Sequence, residues 1–355
     1  MLATQLVDTV DLVRRPQVLD DGGWWAVLAT FEGAITGYRF DDVRRAPMPQ
    51  ARTPWRGPDP ASWTSSLDHA GYVERVRRIR RFIEAGDVYQ VNLCRMLTAP
   101  LPASQDPVAL ARLLAAGNPA RYQGVLQLGD RWVVTASPEL FLSRSGDAIT
   151  SSPIKGTTLP GEPFADKDFP ENIMITDLVR NDFGRIGRAG SVQVTALLQR
   201  QELPGLAHLV STVTTRLDAG HGWGDILAAT FPPGSVTGTP KIRAMQVISE
   251  LEPVPRGPYC GAIGYVDADA GRAELAVGIR TFFTTADSPA TGGPTSGPLL
   301  HFGTGAGITY PSDPDGEWAE TELKASRLIS LASRAELPTH DRAGRAVDAA
   351  RVAQP

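Results

Sequence analysis

The sequence predicts an α+β fold built on antiparallel sheets, and three observations carry that reading. Strand-like segments at Val88–Leu93, Gly124–Leu128 and Trp132–Ala136 are interrupted by a single helical stretch around Leu110–Ala115. Gly261–Val266 and Glu274–Phe283 read as paired strands, with a third at His301–Gly305. Amphipathic helical periods stand outside these runs.

Taken in chain order, Met1–Phe40 holds the apolar runs Trp24–Leu28 and Ala34–Tyr38, which read as strands of a sheet. Val43–Trp63 is rich in Pro, Arg and Ser, has no apolar period, and reads as a connector. Tyr72, Val76, Ile79 and Ile83 recur at helical spacing and stop at Gly86. Arg75, Arg77, Arg78, Arg80 and Arg81 fall mostly on the other faces, the pattern of a solvated helix surface. Glu171–Asp182 reads as a helix ended by Gly184, and Ile242–Leu251 as another, entered through the Pro- and Gly-rich turn Phe231–Pro240. Ala286–Pro298 is of low complexity and is expected at an exposed hairpin tip. Residues after about Glu336 are polar and alanine-rich, as in a disordered tail or loose helix. The expected organisation is a sheet-contributing section with its connector over residues 1–66, a catalytic region over 67–333, and a tail over 334–355.

A chain of 355 residues that is 42% hydrophobic and 21% charged is long enough for a sizeable core. Its net charge of −4 gives no electrostatic basis for binding nucleic acid or an anionic membrane, so any anionic ligand must be held locally. No apolar run reaches the roughly 18 to 20 residues that span a bilayer, and the first residues lack the layout of a signal peptide. Cys94 and Cys260 lie in apolar surroundings and read as core thiols in a reducing compartment, so the cytoplasm is expected.

Ser137-Pro138-Glu139 and Pro153-Ile154-Lys155-Gly156-Thr157 each read as a turn, one presenting a carboxyl and the other an amine. In one pocket those two groups can act as proton donor and nucleophile. Asp168 with Glu171, and Glu317 with Glu320, have the spacing that puts both members on one helical face. Four such carboxylates suit magnesium, although on spacing alone ordinary surface acids are commoner. Lys324 lies one turn beyond Glu320, and Gly303-Thr304-Gly305-Ala306-Gly307 offers backbone N–H groups that can approach an anion. Gly234–Lys241 is similar to a phosphate loop, but Pro240 precedes the lysine and Ile242 stands where a Ser or Thr is required. Nucleotide hydrolysis is therefore not expected, and a loop at a different anion site remains. His208 sits in an apolar run, where a core histidine is the usual outcome. Neither cysteine lies in the Gly-x-Cys-x-Gly turn of a glutaminase nucleophile.

Together these strings resemble the chorismate-utilising enzymes, which include the synthases of anthranilate, aminodeoxychorismate, isochorismate and salicylate. The likeness runs from about Tyr72 to Leu331 and rests on Gly86–Asn92, Ser137–Glu139, Glu171–Asn172, Asp177–Asp182, Gly234–Lys241, Gly257–Gly261, Ala276–Thr281 and Glu317–Lys324 in family order.

The resemblance implies two large, mainly antiparallel sheets packed as a sandwich with helices outside, holding chorismate and Mg2+. It implies Glu171 and Glu320 as direct metal ligands, with Asp168 and Glu317 in support. Tyr265, Arg280, Lys324 and the backbone around Gly305 match positions that hold the substrate's carboxylates, and a guanidinium fits one of them bidentately. Gly156, Thr157, His208, Thr237 and Gly238, with Gly303, Ala306 and Gly307, are expected to line the same substrate. Gln90 replaces the lysine by which isochorismate and salicylate synthases activate water. Lys155 replaces the usual alanine of anthranilate synthases and resembles the nucleophile of aminodeoxychorismate-forming members, with Glu139 as general acid. The implied enzyme is a magnesium-dependent transferase supplied with ammonia by a glutamine amidotransferase subunit, its product serving 4-aminobenzoate and folate or secondary metabolism. Anthranilate formation is the alternative, and a catalytically silent chorismate-binding subunit a more remote one. The N-terminal section is shorter than the family's usual one and shows no tryptophan-binding motif.

Overall fold

Alternation along the strands separates two apolar cores. Val133 and Phe283 join the larger core, while their sequence neighbours Val134 and Phe282 face the other way into a second one. The computed structural model describes residues 1–102, 105–203, 206–285 and 297–333, and these form two large sheets with all strand pairs antiparallel.

The first sheet has ten strands among the described residues, ordered Leu2–Asp11, Ile35–Arg44, Trp24–Ala29, Ala262–Asp267, Arg272–Val277, Leu140–Ser145, Ala148–Ser152, Leu206–Arg216 and Ile154–Thr158, with Gln193–Leu203 also pairing Leu206–Arg216. The second has seven, ordered Gly238–Thr239, Gln90–Pro100, Leu299–Ile308, Thr281–Thr285, Arg131–Ser137 and Tyr122–Leu128, with Thr64–Ser65 beside Gln90–Pro100. The larger core takes Trp25, Val27 and Leu275 from the first sheet and Val91, Leu93 and Ile308 from the second, so the sheets are packed together across it. On the outer face of the second sheet, Leu110 and Leu114 of helix Pro107–Gly117 and Leu328 and Leu331 of helix Pro314–Ala332 cover Trp132 and Phe302. The expected α+β architecture is thus observed.

Helix His69–Glu84 starts where the Asp68 carboxylate accepts the Gly71 N–H at 2.7 Å and stops just before Gly86, whose φ of +79° a side chain would resist. It buries Tyr72, Val76 and Ile79 as expected, while Arg78 pairs with Glu250 and Arg81 with Glu74 on its outer side. The Glu171–Asp182 helix begins earlier, at Asp168, and runs to Gly184, which places Asp168 and Glu171 together in its first turn. The N-terminal strand Trp24–Ala29 pairs with Ala262–Asp267 in the middle of the ten-stranded sheet.

Two expectations need correction. Glu274–Phe283 is not one strand: Arg272–Val277 belongs to the ten-stranded sheet and Thr281–Thr285 to the seven-stranded one, with the chain crossing between them at Gly278–Arg280. Buried apolar residues on both sides of Gly278–Arg280 conceal the crossover. Lys155 stands on the strand Ile154–Thr158 rather than on a turn, and Gly156 bulges that strand at φ +87°. Most of the expected Ala286–Pro298 hairpin tip and the tail 334–355 lie outside the described residues. No described helix is long and apolar enough to cross a membrane.

Candidate active site

Glu139 and Arg280 each occupy a short link where the chain passes from one sheet to the other. Arg131–Ser137 lies in the second sheet and Leu140–Ser145 in the first, and Glu139 sits in the two-residue link between them. The two crossovers are stitched together: Ala136 N–H donates to the Arg280 carbonyl at 3.0 Å, and Val277 N–H to the Glu139 carbonyl at 3.1 Å. Arg280 has φ +51°, a conformation that costs a branched or long side chain some strain and persists only when its surroundings impose it.

Glu139 is 4% exposed. Burial pushes its carboxyl up to about 7, against the opposing pull of the Ser235 hydroxyl, the Lys155 charge and the Ile154 backbone N–H. A cavity of about 20 Å³ behind it, shared with Ser235, Asp182 and Thr230, has room for one water. A larger cavity of about 740 Å³, lined by Arg52, Asp106, Gln127 and Trp132, contains none of the expected site residues.

Lys155 points at the helix that carries the first acidic pair: its Nζ is 3.8 Å from Glu171 Oε2, and Gln90 Nε2 donates to the same oxygen at 3.3 Å. Gly307 allows this convergence, since a Cβ there would stand 2.3 Å from Gln90 Nε2 and 3.3 Å from Glu171 Oε2. Gly156 does the same for the helix start, where a Cβ would lie 2.9 Å from Asp168.

The second acidic pair projects from helix Pro314–Ala332. Glu320 Oε1 receives Lys324 at 2.7 Å and its Oε2 receives Lys167 at 2.8 Å, while Lys324 also donates to the Gly305 carbonyl at 3.1 Å. Burial alone would raise the Glu320 carboxyl, but the two ammonium groups outweigh it and hold it down at about 2. Asp168, Glu171 and Glu317 all shift upward, chiefly through burial. Glu317 accepts from Ser312 Oγ at 2.7 Å and from Lys167 at 3.4 Å on Oε1, and its buried Oε2 has no partner.

As they stand, no group of three or more such side chains among the described residues converges to hold one ion. The donor set nevertheless suits a hard divalent cation, being all oxygen, with one buried carboxylate oxygen unsatisfied and a cation, the Lys167 ammonium, already lodged between two of the acids. Lys167 was not among the residues expected at the site. The signal for it was a lysine immediately before Asp168, set between Asp166 and Asp168.

Arg280 is desolvated, which lowers its pKa, and no described carboxylate pairs with it, so a substrate anion is the natural partner. His208 is buried at 1% exposure and its Nδ1 meets Thr157 Oγ1 at 2.9 Å, while its Nε2 has no partner. Burial, then the nearby Arg280 charge, lowers its pKa to about 4, so the ring is neutral at physiological pH.

Several expected residues have structural roles of their own. The Thr237 hydroxyl donates to the Pro233 and Gly234 carbonyls, and Gly238 lets its turn approach the Gln90 carbonyl, where a Cβ would stand 2.2 Å away. Gly303 lies under the Tyr259 ring, Gly305 against Cys94, and the Ala306 methyl is part of the larger core. Lys241 is engaged by Asp182 at 2.6 Å and by the Thr230 carbonyl at 3.2 Å, so its loop offers no free cation. Tyr265 is not brought into the cluster. Its ring stacks on Trp24 at 5.6 Å, and the charges acting on its phenol are those of Glu274, Asp267, Arg272 and Arg45. Strand alternation past Gly264 sends it to that side, and the tyrosine packed against the glycine strand is Tyr259.

Beneath the site, Arg256 is fully buried. It donates to the Val236 and Asn92 carbonyls, each at 2.9 Å, and to both oxygens of Glu252, at 2.8 and 2.6 Å. It thereby ties the turn that carries Ser235 to the strand that carries Gln90.

Comparison with known proteins gives the family and the fold. A family profile described as "chorismate binding enzyme" matches residues 39–330. The anthranilate synthase component 1 of Streptomyces coelicolor is 40% identical over 314 residues, covering 83% of this chain and 59% of that protein. The aminodeoxychorismate synthase component 1 of Salmonella typhimurium is 36% identical over 315 residues, covering 85% and 65%. The chain thus spans about three fifths of the length of these curated relatives. In structure, it superposes on anthranilate synthase component I from Streptococcus pneumoniae with a TM-score of 0.76 and 23% identity, covering 92% of this chain and 91% of that one, which is a likeness of fold.

Proposed function

This chain belongs to the chorismate binding enzymes, and we propose that within them it converts chorismate and ammonia to 4-amino-4-deoxychorismate. The observation that carries the reading is the presence of Lys155 and Glu139 in one site: an amine 3.8 Å from Glu171 whose charge also acts on Glu139, and a buried acid whose pKa near 7 leaves it substantially protonated at neutral pH. Gln90 supports it from the other side, since an amide that donates to Glu171 supplies no base to activate a water.

Arg280 and Lys324 hold the two carboxylates of chorismate. Lys155 Nζ attacks ring carbon 2 as both ring double bonds shift toward carbon 4, and Glu139 gives its proton to the hydroxyl at carbon 4, which leaves as water. Ammonia then attacks carbon 4, both double bonds return, and the lysine departs from carbon 2 as a free amine. The pyruvyl ether stays in place, so a separate lyase is needed to reach 4-aminobenzoate for folate or related metabolism. Glu171 and Glu320 would hold a magnesium ion, with Asp168 and Glu317 in support, and the ion would neutralise a substrate carboxylate. Ammonia comes from a glutamine amidotransferase subunit, in keeping with the lack of a glutaminase turn, and the cytoplasm is the proposed compartment.

A second reading, anthranilate formation with loss of pyruvate, is favoured by the 40% identity to a protein of that name. Mass-resolved products from chorismate, magnesium and ammonia at alkaline pH, with no lyase added, separate the two. Aminodeoxychorismate supports the proposal, and anthranilate with pyruvate replaces it by the second reading. Without ammonia, a covalent adduct of the chain's mass plus chorismate less one water is expected on the wild type and absent from Lys155→Ala. Full aminodeoxychorismate formation by that variant would sink the nucleophile assignment.

A further inference from the structure

We propose that Lys167 is the built-in counter-cation of the acidic site, and that a divalent ion binds there only by driving its ammonium out. The inference rests on the proposed metal role of Glu171 and Glu320 and concerns what already stands in that place. Lys167 Nζ bridges the second acidic pair, 2.8 Å from Glu320 Oε2 and 3.4 Å from Glu317 Oε1. It does so from the residue that immediately precedes the helix carrying Asp168 and Glu171. One ammonium therefore links the segment bearing one pair to the helix bearing the other.

Both oxygens of Glu320 are occupied by lysines, Oε1 by Lys324 and Oε2 by Lys167. A magnesium ion on the second lone pair of Oε2, at about 2.0–2.1 Å, would stand only about 4 Å from the ammonium on the same oxygen, and repulsion between the two cations in this partly buried site drives one of them out. The two lysines differ in how freely they can go. Lys324 is anchored on the helix of Glu320 itself and also donates to the Gly305 carbonyl. Lys167 precedes its helix and, among the described residues, is hydrogen-bonded only to the two acids, so although it is somewhat less exposed than Lys324 it has no anchor beyond them. Its departure into water frees Glu317 Oε1 beside the already unpartnered Oε2.

Lys167 is thus an internal competitor. It keeps the clustered carboxylates from repelling one another when no metal is bound, and it weakens metal affinity by the contacts that must be broken. Two readouts test this without turnover. Magnesium titrated calorimetrically, with chorismate present, is expected to bind Lys167→Met roughly tenfold more tightly than the wild type, the equivalent of about 1.4 kcal/mol. In the wild type, reaction of Lys167 with an amine-directed acylating reagent, followed by peptide mass spectrometry, is expected to accelerate on adding magnesium but not on adding potassium at equal ionic strength.

Equal or weaker binding by the variant overturns the proposal. So does magnesium binding that leaves Lys167 acylation unchanged, a measurement that stands even where the variant fails to fold. No magnesium binding by either protein overturns the metal site and the displacement together, which separates that failure from a failure of displacement alone.

Discussion

The Glu139 carbonyl accepts the Val277 N–H at 3.1 Å, three residues before Arg280, so the buried acid and the desolvated guanidinium hang from adjoining crossovers. Neither side chain lies within a regular strand. Each is held by the pairing of the strands on both sides of it, which is the rigid mounting a preorganised site requires.

For Glu139 this mounting has a pH signature. Its folded pKa of about 7 lies above the unfolded 4.5, so the folded chain binds the proton more tightly. The stability this contributes is fully present below about pH 4.5 and is lost as the pH rises through 7. Glu139→Gln, which cannot ionise, is expected to match the wild type near pH 4 and to exceed its stability by up to about 3 kcal/mol above pH 8. Urea unfolding at the two pH values checks this. The same variant is expected to lose about 10²–10⁴-fold in turnover.

Gly307 and Gly264 are expected to respond differently to a methyl group. At Gly307 the new Cβ meets the end of the Gln90 side chain, which can turn away, so Gly307→Ala costs about 1 kcal/mol of stability but displaces Gln90 from Glu171 and lowers activity at least about tenfold. At Gly264 the Cβ would stand 2.0 Å from the Glu274 carbonyl, in the middle of a strand pair, and Gly264→Ala is expected to prevent folding. Thermal denaturation and steady-state rates distinguish the two outcomes.

Arg280 and Tyr265 make a second contrast. Arg280→Lys loses the planar fork that fits a carboxylate and is expected to raise KM for chorismate at least about tenfold. Tyr265→Phe keeps the ring stacked on Trp24 and is expected to leave KM and turnover unchanged. A Tyr265→Phe KM that rises as far as that of Arg280→Lys would return the tyrosine to the site.

Local signals made much of this legible in advance. The Tyr72, Val76, Ile79 period and its end at Gly86 depend only on neighbours in sequence, and the three-residue spacing of the acids gave their shared helical faces. Three features are decided by distant parts of the chain. The break in Glu274–Phe283 separates two equally apolar halves whose partners differ, Ala262–Asp267 and Leu140–Ser145 for one, Arg131–Ser137 and Leu299–Ile308 for the other. Lys167 owes its place to Glu317 and Glu320, 150 and 153 residues away. Tyr265 and Tyr259 stand six positions apart, and only the pleat and the turn before it decide which ring meets the glycine strand.

The Arg256 guanidinium carries a last consequence. Arginine does not lose its proton in proteins, so its bonds to the Val236 and Asn92 carbonyls are the same in acid and in alkali. Over the interval in which Glu139 changes charge, the turn that presents Ser235 is therefore clamped by a group that does not titrate. Ionisation of the acid leaves that clamp in place, and a change in the pH profile near 7 reports charge within the site rather than a loosening of the turn that presents Ser235.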